Sequence, residues 1–327
     1  MRAACRLPAA FGAGALLAVA AGGVGAQTDY PSKPIRLVHG FTTGGISDVL
    51  SRAIGAKLNA ATGQQVVVDS RPGAGTTIAS DLVAKSPPDG YTLFMQDITT
   101  HAINASLYRR LPYDSLKDFT PIALVATTPL MLLVHPSLPA KSVKELIAFA
   151  KARPGQIAYG TSGNGTIPHL SMERLKSMAG IDMVHVPYKG SPQSVQGLMG
   201  GEVAVLFSTM PPALASVQAG RLRALGVTTA KRVSAAPEVP TIAEAGLKGY
   251  EMVLYSGILG PAGVRREIVA KLNAELAKIS NTSDYKQLLV TLGAEPIVAT
   301  PEELGAHMRA EMDKLGAIVR AVGARVD

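Results

Sequence analysis

The stretch IRLVHGFTTGGISDVLSRAIGAKL, residues 35–58, decides the fold of this chain. A short β-branched run leads into a loop of Gly, Thr and Ser, and the loop leads into an apolar-striped helical pattern. The stretch IAYGTSGNGTIPHLSMERLKSM, residues 157–178, has the same order of strand, loop and helix. Because this unit occurs twice, the sequence predicts two similar domains, each with one Gly-rich loop facing a shared cleft.

Strand and helix patterns alternate through most of the chain, which predicts an α/β fold. Short β-branched strands separated by helices indicate that each domain is a mainly parallel sheet flanked by helices. The longest uncharged apolar run, residues 121–136, is too short to cross a membrane and contains Pro129. We expect it to form two buried strands that meet at a bend. Three helical patterns, at residues 265–280, 283–293 and 301–323, complete the chain.

The first 26 residues have the pattern of an export signal. Arg2 and Arg6 precede an apolar run at residues 7–21, and small residues follow at 24–26. We predict cleavage after Ala26 and a periplasmic mature protein, with an uncleaved membrane anchor as the alternative. Cys5 is the single cysteine of the chain, so the mature protein would have no disulfide and no thiol nucleophile.

The composition argues against a nucleic-acid-binding protein. The formal net charge is +8, but the basic residues are spread along the chain rather than gathered in one run. Trp is absent and aromatic residues make up 5% of the sequence, which leaves few rings for base stacking. A solvated basic surface with a mild attraction for anionic solutes is the simpler interpretation.

The two Gly-rich loops are suited to holding an anion. The start of a helix carries unpaired N–H groups and about half a positive charge. Glycine lets the backbone approach a ligand closely, and Ser and Thr add hydroxyl donors. Neither loop contains the Gly-Lys-Ser/Thr sequence of a nucleotide triphosphate site. The sequence therefore favours a carboxylate, although either loop alone could be an ordinary turn.

Catalytic, cofactor and metal motifs are weak in this sequence. Ser162 lacks the second Gly of a nucleophile elbow, because Asn164 occupies that position. The loop with Gly73 and Gly75 lacks the third Gly of a dinucleotide fingerprint, where Ile78 stands. The six histidines show no metal-ligand spacing. We therefore expect no catalytic residue, no cofactor and no bound metal.

Several segments together resemble the receptors of the tripartite tricarboxylate transporters, the Bug-type periplasmic solute-binding proteins. The resemblance extends over nearly the whole chain after the export signal and depends on the order and spacing of the segments. They are YPSKPIRLVHGFTTGGISDVLSR, DSRPGAGTTIASD, DGYTLF, LPYDSLKDFTPIALV, YGTSGNGTIPHL, HVPYKGS, ALGVTTAKR, PEVPTIAEAGLKGYE and LGPAG.

The resemblance implies a type II-like binding protein with two domains hinged around a central cleft. The first domain would comprise residues 27–127 and, after an inserted second domain at 128–254, residues 255–327. The chain would cross between the domains near residues 127–129 and 254–257. The family also implies membrane transporter subunits as partners, and we expect a monomer that does not bind nucleic acid.

By motif position, the resemblance implies a ligand carboxylate held between the two loops. The first loop contributes Phe41, Thr42, Thr43, Gly44, Gly45, Ser47 and Asp48. The second contributes Thr161, Ser162, Gly163, Asn164, Gly165 and Thr166, with His169 behind it; Ser208 is a further candidate.

The sequence departs from the family pattern at positions expected to line the cleft. Thr42 and Thr43 replace two prolines, Tyr255 replaces a Trp, and Ser208 replaces an Asp. Without the acidic residue at 208, we expect a ligand amino group to lose a partner and a second carboxylate to fit more easily.

The sequence favours a non-catalytic receptor for a di- or tricarboxylate, an amino acid or an aromatic acid. One alternative is an exported enzyme that acts on a small carboxylate, for which Asp48 and His169 are the titratable candidates in the loops. Another is a sensor that presents the bound solute to a histidine kinase.

Overall fold

The computed structural model describes residues 1, 3–4 and 30–326. Most of the predicted export signal, including Cys5 and the site after Ala26, therefore lies outside the described residues. In the described part the strands are β1 (Ile35–His39), β2 (Val66–Ser70), β3 (Thr92–Asp97), β4 (Phe119–Val134), β5 (Ala158–Thr161), β6 (Val184–Pro187), β7 (Val205–Thr209), β8 (Arg223–Val227), β9 (Val253–Pro261) and β10 (Glu295–Pro296). The helices are α1 (Ile46–Thr62), α2 (Thr77–Ala84), α3 (Ile98–Leu107), α4 (Val143–Lys151), α5 (Ile167–Ala179), α6 (Ser191–Met199), α7 (Met210–Gln218), α8 (Arg266–Asn281), α9 (Ser283–Thr291) and α10 (Pro301–Val322).

The strands form two lobes that share β4. In the order β2-β1-β3-β9-β4-β7-β5-β6, the first lobe includes β2, β1, β3 and β9, and the second includes β7, β5 and β6. Strand β1 is parallel to β2 and β3, and β5 is parallel to β6 and β7. The pairs that involve β4 and β9 are antiparallel. The parallel arrangement predicted from strand–helix alternation is thus found on the outer side of each lobe.

Strand β4 passes from one lobe into the other. Residues 119–129 pair with β9, and residues 130–134 pair with β7 and β8. The change of partner falls at Pro129, which has no backbone N–H to donate to a sheet. The two strands expected here are therefore one 16-residue strand, with its register shifting at two places against β9. The domain limits at 127/128 and 254/255 stay predictions.

Two helices, α3 and α7, were not predicted from the sequence, and both begin at the cleft. Helix α3 starts after Asp97, whose side chain accepts a hydrogen bond from the backbone N–H of Thr100. Helix α7 starts after Thr209 and has proline in its first turn. Helix α3 is buried over most of its length, which leaves no one-sided apolar stripe for a sequence pattern to detect.

Each lobe has its own apolar core. The first core includes Val38, Phe94, Leu124 and Leu304, and the second includes Met131, Leu133, Leu198, Leu206 and Val227. The C-terminal helix α10 packs on the first lobe through Leu304 and begins with the capping box of Thr300 and Glu303. The chain therefore returns to the first lobe after β9.

Candidate functional site

The two Gly-rich loops precede helices, as predicted. The first loop ends at Gly45, immediately before α1, and the second ends at Thr166, immediately before α5. Neither Gly45 nor the Thr166 side chain caps its helix. The first-turn N–H groups of α1 can therefore bind another acceptor, whereas in α5 the Ile167 N–H already donates to Thr100 Oγ1 and Pro168 has no N–H.

Five helix N-termini surround a small cavity between the lobes. The cavity has a volume of about 20 Å³, roughly the space of one water molecule. Helices α1, α3, α5, α6 and α7 each contribute residues from their first turn or N-cap. The lining residues are Phe41, Gly45, Ile46, Ser47, Asp97, Ser162, Ile167, Pro168, Ser191, Thr209 and Leu254. Since each helix start carries partial positive charge, their convergence favours an anion.

Thr209 presents a polar atom without a partner at this cavity. Its side chain is 4% exposed, and its Oγ1 atom is buried and makes no hydrogen bond. A buried hydroxyl left unpaired costs about 1–3 kcal/mol. A bound solute that hydrogen-bonds to this hydroxyl would remove that cost, so Thr209 identifies the cavity as a place for a polar ligand.

Asp97 supplies the carboxylate of the cavity wall. It is 1% exposed and accepts hydrogen bonds from the backbone N–H and the Oγ1 hydroxyl of Thr100. Burial raises the pKa of the Asp97 carboxyl to about 6, although these hydrogen bonds act in the opposite direction. Within residues 30–326 Asp97 forms no ion pair.

A wider pocket of about 350 Å³ adjoins the small cavity. Phe41 and Ser162 border both, so they stand between the inner cavity and the outer pocket. The outer pocket is lined by Gly40, Phe41, Gly73, Ala74, Gly75, Thr76, Tyr108, Ser162, Gly163, Asn164, Pro187, Tyr188, Lys189 and Val326. Ala74 and Thr76 have φ of +45° and +75°, conformations that non-glycine residues seldom adopt.

The lobes touch beside the cavity, at the second loop. A Cβ atom on Gly165 would lie 2.5 Å from Asn104 Oδ1 and 2.9 Å from Leu107 Cδ2, both on α3 of the first lobe. The backbone N–H of Ile167 donates to Thr100 Oγ1 at 3.2 Å. The described arrangement is therefore closed around the cavity.

Asp48 holds the first loop rather than lining a cavity. Its carboxylate accepts from the backbone N–H of Gly44 at 3.0 Å and from Arg52 Nε at 2.9 Å. The fully buried His39 ring lies 3.5 Å away. Burial raises the pKa of Asp48, but the hydrogen bonds from Arg52 and Gly44 outweigh it and leave that pKa below its usual value.

His169 and His185 support the second loop from behind. Their rings stack with centroids 4.2 Å apart, and Gly165 N–H donates to His169 Nδ1 at 3.3 Å. His185 Nε2 lies 2.7 Å from Thr161 Oγ1. Burial lowers the pKa of both imidazoles, that of His185 to about 3. Both rings are therefore neutral at physiological pH and act as packed hydrogen-bonding supports.

The residues named from the sequence divide into two groups. Those that line one of the two cavities are Phe41, Gly45, Ser47, Ser162, Gly163 and Asn164. Those placed elsewhere in the described structure are Thr42, Thr43, Gly44, Asp48, Thr161, Gly165, Thr166, His169 and Ser208. Ser208 is fully buried, and its Oγ donates to the carbonyl oxygen of Thr209 at 3.0 Å.

Asp97, Ser191 and Thr209 line the cavity but were not among the site residues predicted from the sequence. Thr209 is followed by Met and two prolines, and Ser191 by one proline, which is the signal of a helix start. That signal indicates where the two helices begin but not that they approach the other loops.

A mostly apolar cavity with a few polar groups, enclosed between two lobes, is typical of a small-molecule site, and this fold and site therefore indicate the solute-binding class of proteins. Among the described residues, no three His, Cys, Asp or Glu side chains lie together as a metal ion would require. No helix in that part of the chain has the length and apolar character to span a membrane.

The chain belongs to the tripartite tricarboxylate transporter receptor family, whose profile matches residues 50–324. It is similar to a protein from the tcbD–tcbE intergenic region of Pseudomonas sp. strain P51, with 38% identity over 87% of this chain and 85% of the relative. It is 34% identical to protein BugT of Bordetella pertussis over 98% of each chain.

Solved structures agree with this assignment. R. palustris Rpa4515 with adipate has a TM-score of 0.88 and 38% identity, over 91% of this chain and all of that one. MatC from Rhodopseudomonas palustris with bound malate has a TM-score of 0.85 and 29% identity, over 89% of this chain and all of that one. The periplasmic binding protein BugD has a TM-score of 0.86 and 28% identity, over 90% and 99%. The protein is therefore a two-domain solute-binding receptor.

Proposed function

We propose that this protein binds a small carboxylate-bearing solute in the periplasm and delivers it to membrane transporter subunits of the tripartite tricarboxylate type. The observation that carries the proposal is the cavity at which five helix N-termini meet the unpaired Thr209 hydroxyl. The adipate and malate in the two related structures support a carboxylate as the ligand class.

The site binds an anion through groups that are fixed before the ligand arrives. Helices α1, α5, α6 and α7 begin without a side-chain cap, and the start of each contributes to the cavity wall. The buried surroundings exclude water and strengthen each hydrogen bond to a carboxylate. Ser47, Ser162 and Ser191 add hydroxyl groups at the wall.

Ligand exchange requires the lobes to separate. A cavity of about 20 Å³ has no room for a di- or tricarboxylate in the described arrangement. We place the hinge in the shared strands, near residues 127–129 of β4 and 254–257 of β9. The lobes then close around the ligand with more space between them than in the described arrangement, and the ligand stabilises that form by binding it more tightly than the open one.

The alternative of an enzyme finds less support at the site. Asp48 and His169, the titratable loop residues, hold the loops and do not line the cavities. Ser162 Oγ donates to Thr166 Oγ1 at 3.1 Å, so its nearest partner is a hydroxyl rather than a base. We therefore propose a receptor that leaves its ligand unchanged.

The first experiment is a ligand screen on the mature chain. The protein is unfolded to remove any carried-over ligand, refolded, and tested by thermal shift against small carboxylic acids and their neutral amides. We expect an acid to raise the melting temperature and its amide to have no effect, with the acid recovered intact by mass spectrometry. Absence of any acid-induced shift, or conversion of the acid, would refute the proposal.

A matched pair of variants then locates the site. Thr209→Val removes the unpaired hydroxyl at the cavity, and Ser115→Ala removes another buried unpaired hydroxyl, which lines neither cavity and lies outside the proposed hinge. A hydrogen bond to a charged group is worth about 1.5–3 kcal/mol, so Thr209→Val should weaken binding by roughly 10- to 150-fold. Ser115→Ala should leave the affinity unchanged, and equal effects of the two variants would count against this cavity.

Sequencing the N-terminus of the exported protein tests its predicted processing. A mature chain that begins at Gln27 in the periplasmic fraction would support export with cleavage after Ala26. Retention of the first 26 residues in the membrane fraction would instead favour the anchored alternative.

A further inference from the structure

We infer that Asp97 selects solutes that carry an ammonium group close to their carboxylate, so that the receptor takes a zwitterionic amino acid in preference to the matching dicarboxylate. The inference rests on the proposed function, since it names the ligand class of the same cavity. It also reverses the expectation drawn from Ser208, because the wall does hold an acidic residue, supplied by a different strand.

The chemistry of the cavity wall is uneven. The apolar part of the wall is formed by Phe41, Ile46, Ile167, Pro168 and Leu254. The polar groups of the wall lie at the helix starts, where Asp97 is the lining residue with a carboxylate. The polar groups of a ligand therefore meet donors at the helix starts and an acceptor at Asp97. A carboxylate with a neighbouring ammonium group satisfies both, whereas a second ligand carboxylate would face a like charge.

Asp97 keeps acceptor capacity for a ligand. A carboxylate has about four lone-pair sites, and Thr99 and Thr100 of α3 engage only part of them. Its burial favours a cationic partner, because a buried carboxylate without one is costly. The negative charge of Glu311 on α10 also acts on Asp97 and raises its pKa. Glu311 itself forms an ion pair with Lys314 at 3.1 Å.

The position of Asp97 also connects the ligand to closure. Thr100 donates to Asp97 through Oγ1, and the same oxygen accepts from Ile167 N–H of the second lobe. Thr99 Oγ1 donates to the carbonyl oxygen of Val253 and accepts from Tyr255 N–H, both at the start of β9. A ligand group that binds Asp97 would therefore lie next to the contact between the lobes and next to the proposed hinge.

The test uses solutes that differ mainly in an ammonium group. Calorimetric titration of the refolded mature protein would compare aspartate with succinate, glutamate with glutarate, and phenylalanine with 3-phenylpropanoate. In at least one pair we expect the amino acid to bind at least tenfold more tightly, as one charge-assisted hydrogen bond provides. If, in every pair that binds, the acid without the ammonium group binds as well as the amino acid, the inference is overturned while the proposed function stands.

Variants separate recognition from folding. Asp97→Asn keeps a side chain that caps helices, so α3 should be retained. We expect this variant to lose the preference for the amino acid by at least tenfold, and Glu311→Gln, which changes a buried acidic residue that lines neither cavity, to keep it. An unchanged preference in Asp97→Asn overturns the inference, and failure of every tested acid to bind overturns both the inference and the proposed function.

Discussion

Replacing Gly165 with alanine should weaken ligand binding although Gly165 lines neither cavity. Gly165 has φ of +75°, and its missing side chain lets the second loop lie against α3 of the first lobe. The added Cβ would lie 2.5 Å from Asn104 Oδ1 and 2.9 Å from Leu107 Cδ2. Both distances are shorter than those at which a Cβ atom normally contacts another atom. The substitution therefore opposes the contact between the lobes.

The expected size follows from two separate costs. A non-glycine residue with positive φ costs roughly 1–2 kcal/mol, and this cost is present whether the lobes are open or closed. Crowding against a packed surface costs about 1–3 kcal/mol, and only the closed form bears it. Because ligand binding is coupled to closure, the apparent Kd should rise by about 5- to 150-fold.

Gly180→Ala is a matched control for this experiment. Gly180 has φ of +62° and ends α5, but no atom lies within 4 Å of the site its Cβ would occupy. Both variants should lower the free energy of unfolding, and only Gly165→Ala should weaken binding in calorimetric titrations with the solute found in the screen. Wild-type affinity in Gly165→Ala would refute the view that this contact belongs to the ligand-bound form.

The remaining predictions concern pH and the first loop. Burial lowers the pKa of His101 from 6.5 to about 4. As the pH falls, the unfolded chain therefore binds a proton at His101 before the folded chain does, and the stability present above pH 6.5 is lost between pH 6.5 and pH 4. Urea unfolding at pH 7.5 and 4.5 should show a loss of about 2–3 kcal/mol from this residue, and His101→Gln should show a smaller pH dependence; an equal dependence would contradict the assignment. Asp48→Ala removes the acceptor of Gly44 N–H and should lower both stability, by about 1–3 kcal/mol, and ligand affinity, whereas Asp48→Asn should retain part of each; wild-type values in both variants would exclude Asp48 as the support of the loop.

Features of this protein that depend on neighbouring residues could be predicted from its sequence. The apolar periods predicted most of the strands and helices, and the loops before α1 and α5 could be recognised because Gly and Thr cluster at helix starts. The capping box of Thr300 and Glu303 could be predicted for the same reason. Six of the residues named from the loops line one of the two cavities.

Which helix starts lie together depends on contacts between segments that are far apart in the chain. Asp97 and Thr209 are the N-caps of α3 and α7, and Ser191 begins α6; these residues lie far apart in the chain and share one cavity in the folded protein. The change of partner along β4 likewise depends on β7, β8 and β9 rather than on its own residues. Strand order is set by burial and hydrogen bonding between distant segments. A local sequence pattern can therefore predict the loops and helices of this site but not how they are arranged in space.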